Sequence, residues 1–453
     1  MSVNPADSAI LGDLFGTEEM RRLFGDRQRL AAMLQVEAAL ARVEARRGII
    51  PQEAATAIAT AASVDNLDLA AIAASTGIVG YPVVALTKQL GQAAGKEAAR
   101  WVHWGATTQD ILDTSLVLQM RDGLILVERD LRRIVAALAD QAVLHSETVM
   151  AGRTHLQHAL PVTFGYKCAI WLQPLLDHLD RLHALEPRLL RVQFGGAVGT
   201  LSSLGDKGRA VVEGLAEELG LAAPDAPWHV ARDGIVEAAG LLALITGSLA
   251  KLATDMILLM QTETGELNEP YMPGRGGSST MPQKRNPIAS EYVVACARGV
   301  HALVPLLYNA MAGDHERSTG PWQSEQLALP QIFVLASGAL FHATVIAEGM
   351  QVDADRMRKN LDSTGGLIMA EAVMMALAGE LGRGAAHALV EHACGKAIAE
   401  HRPLIDVLAE DDALEGKFGR DQLEHILDPK NYLGEARAVV DRVVARAEKT
   451  LER

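Results

Sequence analysis

Cysteine is scarce in this 453-residue sequence, and its three cysteines, Cys168, Cys296 and Cys394, form no C-x-x-C pair. So few and so widely spaced, they supply neither a disulfide framework nor a zinc knuckle, and they are typical of buried thiols in a reducing compartment. Aromatic residues are also rare, at 4% of a chain that is 49% hydrophobic. Alanine and leucine therefore carry most of the apolar content, which favours close-packed helices over a β-sandwich.

The sequence also lacks an excess of basic charge. Its formal net charge is −14, and it contains no long run of Lys and Arg, which argues against nucleic acid as a general partner. An acidic surface still permits a small anionic substrate, because a few buried cations can set the local field. The first twenty residues show no signal pattern, and the most apolar stretch, residues 238–250, is expected to be too short to span a bilayer. We expect a soluble, cytoplasmic protein with no membrane partner.

Helical periodicity is what the sequence has in abundance. Apolar residues step by three or four over five long stretches, at residues 111–147, 163–192, 232–264, 288–312 and 325–350. The third stretch is apolar over much more than one face, which predicts a bundle whose core helices also bury against other subunits of a homo-oligomer.

Shorter helical patterns flank these five stretches. One amphipathic helix is predicted over residues 20–47, with Glu37 and Glu44 largely off its apolar side. The fold class is therefore all-α. We predict an N-terminal helical domain (1–110), a central long-helix bundle (111–350) and a C-terminal helical cap (351–453).

Three polar clusters interrupt this apolar frame, each near the end of a long helical pattern. They are H-W-G-A-T-T-Q-D at 103–110, G-R-T-H-L-Q-H-A at 152–159 and G-G-S-S-T-M-P-Q-K-R-N-P at 276–287. In the third, glycines allow backbone N–H groups to form an anion-holding nest, Lys284 adds a point charge, and Ser278 and Ser279 offer hydroxyls. The alternative is a solvent-exposed turn, since turns prefer the same residues.

The second cluster favours a site without a cofactor. His155 and His158 are three apart, which could place two imidazoles on one helical face, but no H-E-x-x-H, cysteine pair or nearby carboxylate supplies further metal ligands. The phosphate-cradling G-K-[ST] is absent, and the glycine-rich stretches follow helices and not strands. What remains is acid/base chemistry, with His155 donating or relaying a proton while Thr154 and Gln157 bind substrate oxygens. The alternative for His155 is a buried histidine at a helix start, with hydrogen-bond partners for its ring nitrogens.

In the first cluster, Thr107, Thr108 and Asp110 have the alternative role of helix N-caps.

With these clusters the sequence resembles the fumarase/aspartase superfamily. G-S-S-T-M-P-Q-K-R-N-P at 277–287 matches the superfamily's signature loop at nearly every position, while the segments at 103–110 and 154–159 resemble its other two polar regions. The resemblance covers the whole chain. It implies a three-domain helical fold, no cofactor, no metal, and a homotetramer whose active sites are each built from three subunits.

The resemblance also implies a role for each matching residue. Ser278 would be the catalytic serine, acting as base on a proton next to a carboxylate, and His155 would face the leaving or attacking group. The carboxylate that gains charge would be held by Lys284 and Asn286. The other substrate-binding residues implied are Thr107 and Thr108 for a second carboxylate, and His103 and Arg317 for the remaining charge.

Within the superfamily the sequence is most similar to the cycloisomerase branch. His158 in T-H-L-Q-H-A and Trp322 in H-E-R-S-T-G-P-W at 315–322 carry this likeness. It implies an enzyme that closes a carboxylated muconate, a dicarboxylate or tricarboxylate, to a γ-lactone in aromatic catabolism. At position 155 this sequence has the histidine of the lyase branch, whereas some cycloisomerases have tryptophan there. The role of His155 as an acid therefore stays open. The alternatives are a C–N lyase of the adenylosuccinate type that releases fumarate, and a structural protein that kept the fold without the chemistry.

Overall fold

The computed structural model describes residues 3–271, 276–277, 280–281 and 283–452. The chain is 71% helical and 5% strand, as an all-α fold class predicts. The α-helices in the described residues are α1 (Gly12–Phe15), α2 (Glu18–Phe24), α3 (Asp26–Arg46), α4 (Gln52–Ala61), α5 (Leu69–Val79), α6 (Val83–Ala94), α7 (Thr108–Leu144), α8 (Phe164–Leu189), α9 (Gly208–Leu219), α10 (Asp233–Leu259), α11 (Ile288–Ala310), α12 (Pro321–Gly349), α13 (Ala354–Asp362), α14 (Ala370–Leu381), α15 (Arg383–Glu400), α16 (Leu404–Ala409), α17 (Arg420–Leu427) and α18 (Ala436–Leu451).

The five long helical stretches are confirmed as α7, α8, α10, α11 and α12. Along α7, Met120, Val127, Leu131, Ile134 and Leu138 are all buried, as their spacing predicts. The prediction of one helix over residues 20–47 is wrong. The chain is extended at Gly25 (φ −72°, ψ 160°), which separates α2 from α3.

Two short antiparallel strand pairs accompany the helices in the described part of the chain. They are β1 (Val149–Thr154) with β2 (Gln157–Thr163), and β3 (Leu267–Asn268) with β4 (Gln351–Val352). The β1–β2 hairpin has an irregular register at Gly152, where an added Cβ would lie 2.7 Å from the carbonyl oxygen of Leu160. The hairpin occupies the position where the sequence predicted a helix start for His155, and that alternative is wrong.

The chain divides into two compact units, each made of discontinuous segments. The first comprises Met1–Asp130, His178–Leu249 and Tyr292–Phe341, and the second comprises Leu131–Asp177, Ala250–Glu291 and His342–Arg453. The three-domain boundaries drawn from the sequence stay a prediction.

Each unit has its own apolar core. In the first, a large cluster gathers buried residues of α3, α4, α6 and α9, among them Met33, Leu40, Ile58, Leu86 and Leu215. Elsewhere in this unit α7 and α12 approach closely, since an added Cβ on Gly123 would lie 2.8 Å from the ring of Phe333. In the second unit, one cluster lies among α14–α17 and another packs β1 against α13 and α14.

Three helices in the described part of the chain, α10, α11 and α12, are long and apolar enough to cross a membrane by length and composition alone, with a fourth if the bent pair at 354–362 and 367–381 counts as one span. The apolar stretch at 238–250 lies inside α10, which has 27 residues. The stretch itself remains too short to span a bilayer, whereas the helix that contains it is long enough by length and composition alone.

Candidate active site

The first cluster, ahead of α7, is held in place by Asp110. This fully buried carboxylate accepts hydrogen bonds from the backbone N–H of Thr107 (2.9 Å), Gly195 (3.0 Å) and Gly196 (2.9 Å) and from Nε2 of His229 (2.7 Å). The bond to Thr107 is the carboxylate half of a capping box at the start of α7. Asp110 is therefore not the N-cap that was its alternative role, because it lies in the first turn of α7. It also fixes the glycine loop at 195–196 against this helix.

Arg317 joins this cluster from a distant part of the chain. Its guanidinium donates to Oγ1 of Thr107 (3.1 Å) and to the carbonyl of Ala197 (2.9 Å). The loop that carries Arg317 is closed by Asp314, which accepts bonds from the backbone N–H and the hydroxyl of Thr319, each at 2.9 Å. These bonds hold the pKa of Asp314 below its ordinary value. A half-buried cation thus lies beside a threonine hydroxyl, an arrangement suited to binding a carboxylate.

His103 lies in the same loop as Thr107, and its Nδ1 lies 2.6 Å from Oε1 of Glu37 on α3. The Glu37 side chain is 1% exposed, and that of His103 is 22% exposed. Burial by itself lowers the pKa of His103, but the charge and the hydrogen bond of Glu37, with a smaller contribution from Asp110, outweigh it, so the pKa is raised above the ordinary value. Glu37 therefore favours the protonated form of the imidazole.

The second cluster forms the tip of the β1–β2 hairpin. Thr154 pairs with Gln157 across the strands, and the two residues between them, His155 and Leu156, both have left-handed backbone angles (φ 52° and 63°). This is the geometry of a type I′ turn, which normally uses Asn and Gly. All four residues at the tip are exposed. Their side chains therefore extend into solvent from a turn whose backbone is strained but well defined.

The base of the hairpin tip is fixed by a buried ion pair. Arg153 donates to both carboxylate oxygens of Glu266, at 2.9 and 2.6 Å, and Asn360 donates to the same carboxylate at 2.8 Å. His158 lies opposite Arg153 in the register, and burial together with the charge of Arg153 lowers its pKa. His155 and His158 are thus on a hairpin and not on one helical face. Among the described residues, no group of three or more His, Cys, Asp and Glu side chains is arranged to hold a metal ion.

The third cluster, the signature loop, is described only in part. Ser278 and Ser279 lie outside the described residues. The backbone N–H of Asn286 donates to the carbonyl of Gly276 (2.9 Å). Gly276 has a φ of 67°, and an added Cβ there would lie 2.6 Å from the carbonyl oxygen of Asn286, so this close approach requires glycine. The side chain of Lys284 is exposed, and that of Asn286 is half-buried.

Glu269 ties the end of this loop to α11. Its carboxylate accepts bonds from the backbone N–H of Ala289 (3.0 Å) and Ser290 (2.8 Å) and from the Ser290 hydroxyl (2.7 Å). A carboxylate at a helix N-terminus satisfies donors that have no partner within the helix and complements the helix dipole. Arg285 donates to the backbone carbonyl of Glu269 at 2.8 Å. The residues just after Lys284 are thereby fixed to a rigid helix.

Comparison with known proteins identifies the family. A sequence model described as "Lyase" matches residues 15–301, and one described as "Adenylosuccinate lyase C-terminus" matches residues 366–443. The chain belongs to the fumarase/aspartase superfamily of lyases. It is 49% identical over 448 residues to the 3-carboxy-cis,cis-muconate cycloisomerase of Pseudomonas aeruginosa, covering 98% of this chain and 97% of that protein.

Two further proteins are similar to this chain over nearly its full length. Trans-aconitate decarboxylase 1 of Mycosarcoma maydis is 45% identical over 442 residues, which are 97% of this chain and 90% of that protein. The crystal structure of 3-carboxy-cis,cis-muconate lactonizing enzyme from Pseudomonas putida matches with a TM-score of 0.94 and 48% identity, covering 97% of this chain and 99% of that chain. The predicted superfamily and its fold are confirmed.

The predicted site residues are divided between the two units. The first unit holds His103, Thr107, Thr108 and Arg317, and the second holds Thr154, His155, Gln157, Lys284 and Asn286. Within the first, Thr107 and Arg317 are in contact. Within the second, three of the residues share the hairpin tip and two share the end of the signature loop. Their roles toward a substrate stay predictions.

Sequence reasoning misplaced two carboxylates of α3. Glu37 and Glu44 were predicted largely off the apolar side of the helix, but both are buried, with relative exposures of 1% and 0%. Their spacing from Leu30, Met33 and Leu34 did contain the signal, since steps of three and four place 37 and 44 on the same helical stripe. Charged side chains are rarely buried, so the residue type predicts exposure at these two positions while the helical spacing predicts burial.

Proposed function

We propose that this chain is a cofactor-independent cycloisomerase that converts 3-carboxy-cis,cis-muconate to the γ-lactone 4-carboxymuconolactone in aromatic catabolism. The observation that carries the proposal is the 49% identity, over nearly the whole of both chains, to an enzyme named for this reaction. The residues expected to perform the chemistry, Ser278, Lys284 and Asn286, all stand at their positions in the signature loop.

The reaction needs no redox step and no added group. One carboxylate of the substrate attacks the conjugated double bond and forms the ring C–O bond. The electron pair moves into the acceptor carboxylate, which Lys284 and Asn286 hold as its charge grows. Neutral Ser278 then donates its proton to the α-carbon, and the serine oxygen regains a proton from solvent, so that the reaction takes up one proton overall. A proton next to a carboxylate is very weakly acidic, so most of the barrier is lowered by donors arranged in advance around the developing dianion.

The remaining predicted residues bind the rest of the substrate. His103 and Arg317 supply positive charge for a further carboxylate, and Thr107 and Thr108 supply hydroxyls. At the hairpin tip, Thr154 and Gln157 bind substrate oxygens, and His155 faces the attacking group. The contact of Arg317 with Thr107 and the raised pKa of His103 support this assignment, because both favour an anion at the start of α7.

The active enzyme is proposed to be a cytoplasmic homotetramer whose sites each draw on three subunits. Each of the five long helices exposes a large apolar side chain, namely Ile125, Ile170, Leu244, Tyr308 and Phe341. Other copies of the chain would cover these side chains, so that α10, α11 and α12 bury against protein and not against lipid. Light scattering on the purified protein should give four times the chain mass of 48.4 kDa, and a stable monomer would contradict the assembly.

The test of function is the ultraviolet absorbance of 3-carboxy-cis,cis-muconate mixed with the purified protein, without added metal or nucleotide. We expect the conjugated-diene absorbance to be lost with the wild type and retained with Ser278→Ala. Turnover by Ser278→Ala at the wild-type rate would overturn the assignment of the serine. Absence of turnover by the folded wild-type tetramer would overturn the proposed reaction.

Trans-aconitate decarboxylation is a second candidate, because the 45% identity to a trans-aconitate decarboxylase extends over 97% of this chain. Carbon dioxide release from trans-aconitate, measured in parallel, separates the two reactions. A third assay with adenylosuccinate tests the C–N lyase predicted as an alternative from the sequence, which the full-length relatives do not favour.

A further inference from the structure

Glu37 is a buried carboxylate with a single hydrogen-bond partner among the described residues. Its Oε1 lies 2.6 Å from Nδ1 of His103, and its Oε2 is buried with no hydrogen-bond donor among the described residues. The glutamate side chain is 1% exposed. Removing a carboxylate from water is costly, so a buried carboxylate that makes one strong contact depends on that contact.

The contact determines what His103 offers to its surroundings. With Nδ1 engaged by Glu37, the free position of the ring is Nε2, for which no bond to a described residue is present. A histidine whose one nitrogen is fixed by a carboxylate has a defined tautomer and ring orientation. The backbone at His103 is left-handed (φ 62°), an uncommon conformation for a residue other than glycine, so the loop holds the backbone of His103 in a strained conformation.

We propose that Glu37 is a positioning residue, which orients His103 and keeps it cationic so that its Nε2–H binds a carboxylate of the substrate. This inference rests on the proposed function, in which His103 contacts the substrate. The carboxylate of Glu37 does not touch the substrate. It acts through the imidazole, and its negative charge balances the cation during the interval when no substrate anion is bound.

Glu44 provides a matched control on the same helix. It lies seven residues further along α3, is fully buried, and neither of its carboxylate oxygens has a donor among the described residues. Burial, and secondarily the charge of Glu37, raises the pKa of Glu44 to about 9. Helix α3 therefore carries one buried carboxyl group that engages a histidine and one that does not.

The kinetic test compares Glu37→Gln with Glu44→Gln, using 3-carboxy-cis,cis-muconate as substrate. We expect Glu37→Gln to raise KM roughly tenfold, with a smaller effect on kcat. Tenfold is the order expected when the hydrogen bond from Nε2–H of His103 to the charged carboxylate of the substrate is lost. We also expect the alkaline limb of its kcat/KM profile to move to lower pH, because His103 loses its proton more readily beside a neutral amide. Glu44→Gln should leave KM and the profile as in the wild type. Equal KM values and pH profiles for the two variants would overturn the proposal.

A second measurement is independent of turnover. The rate at which diethyl pyrocarbonate modifies His103, followed by peptide mass spectrometry across a pH series without substrate, reports the titration of its imidazole. We expect a midpoint above that of an ordinary histidine in the wild type, and a lower one in Glu37→Gln. A wild-type midpoint at or below the ordinary value would overturn the proposal even if Glu37→Gln failed to fold. If the wild type does not consume the muconate, the proposed function fails, while this titration still decides whether Glu37 controls His103.

Discussion

Arg317 and Thr107 are 210 positions apart in the sequence, yet the guanidinium of Arg317 donates to the hydroxyl of Thr107 at 3.1 Å. Thr107 is in turn fixed by Asp110, whose carboxylate accepts its backbone N–H. Because Asp110 also binds the backbone at 195–196, and Arg317 binds the carbonyl of Ala197, two separate segments, residues 195–197 and the loop that carries Arg317, are held against the start of α7. The candidate carboxylate site is therefore rigid before any substrate arrives, which is how an enzyme limits the cost of reorganisation.

The first prediction concerns the two-pronged contact of Arg317. Lysine carries the same charge but lacks the planar fork, so Arg317→Lys cannot donate to both Thr107 and Ala197. We expect KM for 3-carboxy-cis,cis-muconate to rise about tenfold, the order of one charged hydrogen bond, with little loss of thermal stability. Steady-state kinetics and a melting curve measure both effects.

The control for Arg317→Lys is Arg358→Lys. Arg358 is a half-exposed arginine whose Nε donates to Asp362 one turn further along its helix. Exposed pairs of this kind contribute little, so KM should not change. An unchanged KM in Arg317→Lys as well would show that Arg317 does not bind substrate.

The second prediction concerns the stability that Asp110 provides. Asparagine has a similar shape, but one of its two terminal atoms is an N–H donor, which would face the N–H groups that Asp110 now satisfies. We expect Asp110→Asn to lower the free energy of unfolding by about 3 kcal/mol, since it removes a buried charge from donors that remain buried. Asp140→Asn, at an exposed position of the same helix, should change it by less than about 0.5 kcal/mol. Equal urea-unfolding midpoints for the two variants would contradict this role.

Much of the fold could be predicted because it follows from local periodicity. The five long helices begin and end within a few residues of their predicted limits, apart from α10 and α12, whose ends differ by up to five residues. The break at Gly25 was missed because a glycine inside an apolar pattern is tolerated in many helices. The hairpin at 149–163 was missed because its turn residues, His155 and Leu156, are not the ones that such turns prefer.

The identity of the candidate site residues could be predicted, because it depends on residue type within a motif. The contacts between them could not, because they depend on the tertiary fold. His103, Thr107 and Arg317 were chosen from their motifs, but no sequence pattern pairs Thr107 with Arg317 or His103 with Glu37. Such pairs join residues that are remote in the chain, and their spacing along the chain carries no information about them. The buried carboxylates Glu266 and Glu269, which fix the hairpin and the signature loop, were missed for the same reason.

The third prediction uses the raised pKa of Glu44. Burial raises this pKa from the ordinary 4.5 to about 9, so between these values the folded chain keeps a proton that the unfolded chain has lost. The contribution of Glu44 to the free energy of unfolding therefore declines as the pH rises from about 4.5 and levels off above about 9. Glu44→Gln is neutral at every pH and should be more stable than the wild type by up to about 3 kcal/mol at pH 7.

The check for Glu44→Gln is a pair of unfolding experiments at pH 5 and pH 8. The advantage of the variant over the wild type should be small at the lower pH and large at the higher one. A difference that is the same at both values would show that packing, and not the proton, accounts for the effect.

The fourth prediction concerns the strained turn of the β1–β2 hairpin. Leu156 is 72% exposed and has a φ of 63°, a left-handed conformation that costs an ordinary residue roughly 1–2 kcal/mol and that asparagine tolerates better. Leu156→Asn should therefore raise the free energy of unfolding, measured by urea unfolding, by about 0.5–1 kcal/mol.

The control for Leu156→Asn is Leu144→Asn. Leu144 is 70% exposed but lies in helix α7, where asparagine relieves no strain and lowers helix propensity. If both substitutions destabilise the protein equally, the turn is not strained. If Leu156→Asn is stabilising but slows turnover of the muconate, the strain is retained because this turn presents the neighbouring His155 and Gln157 to the substrate.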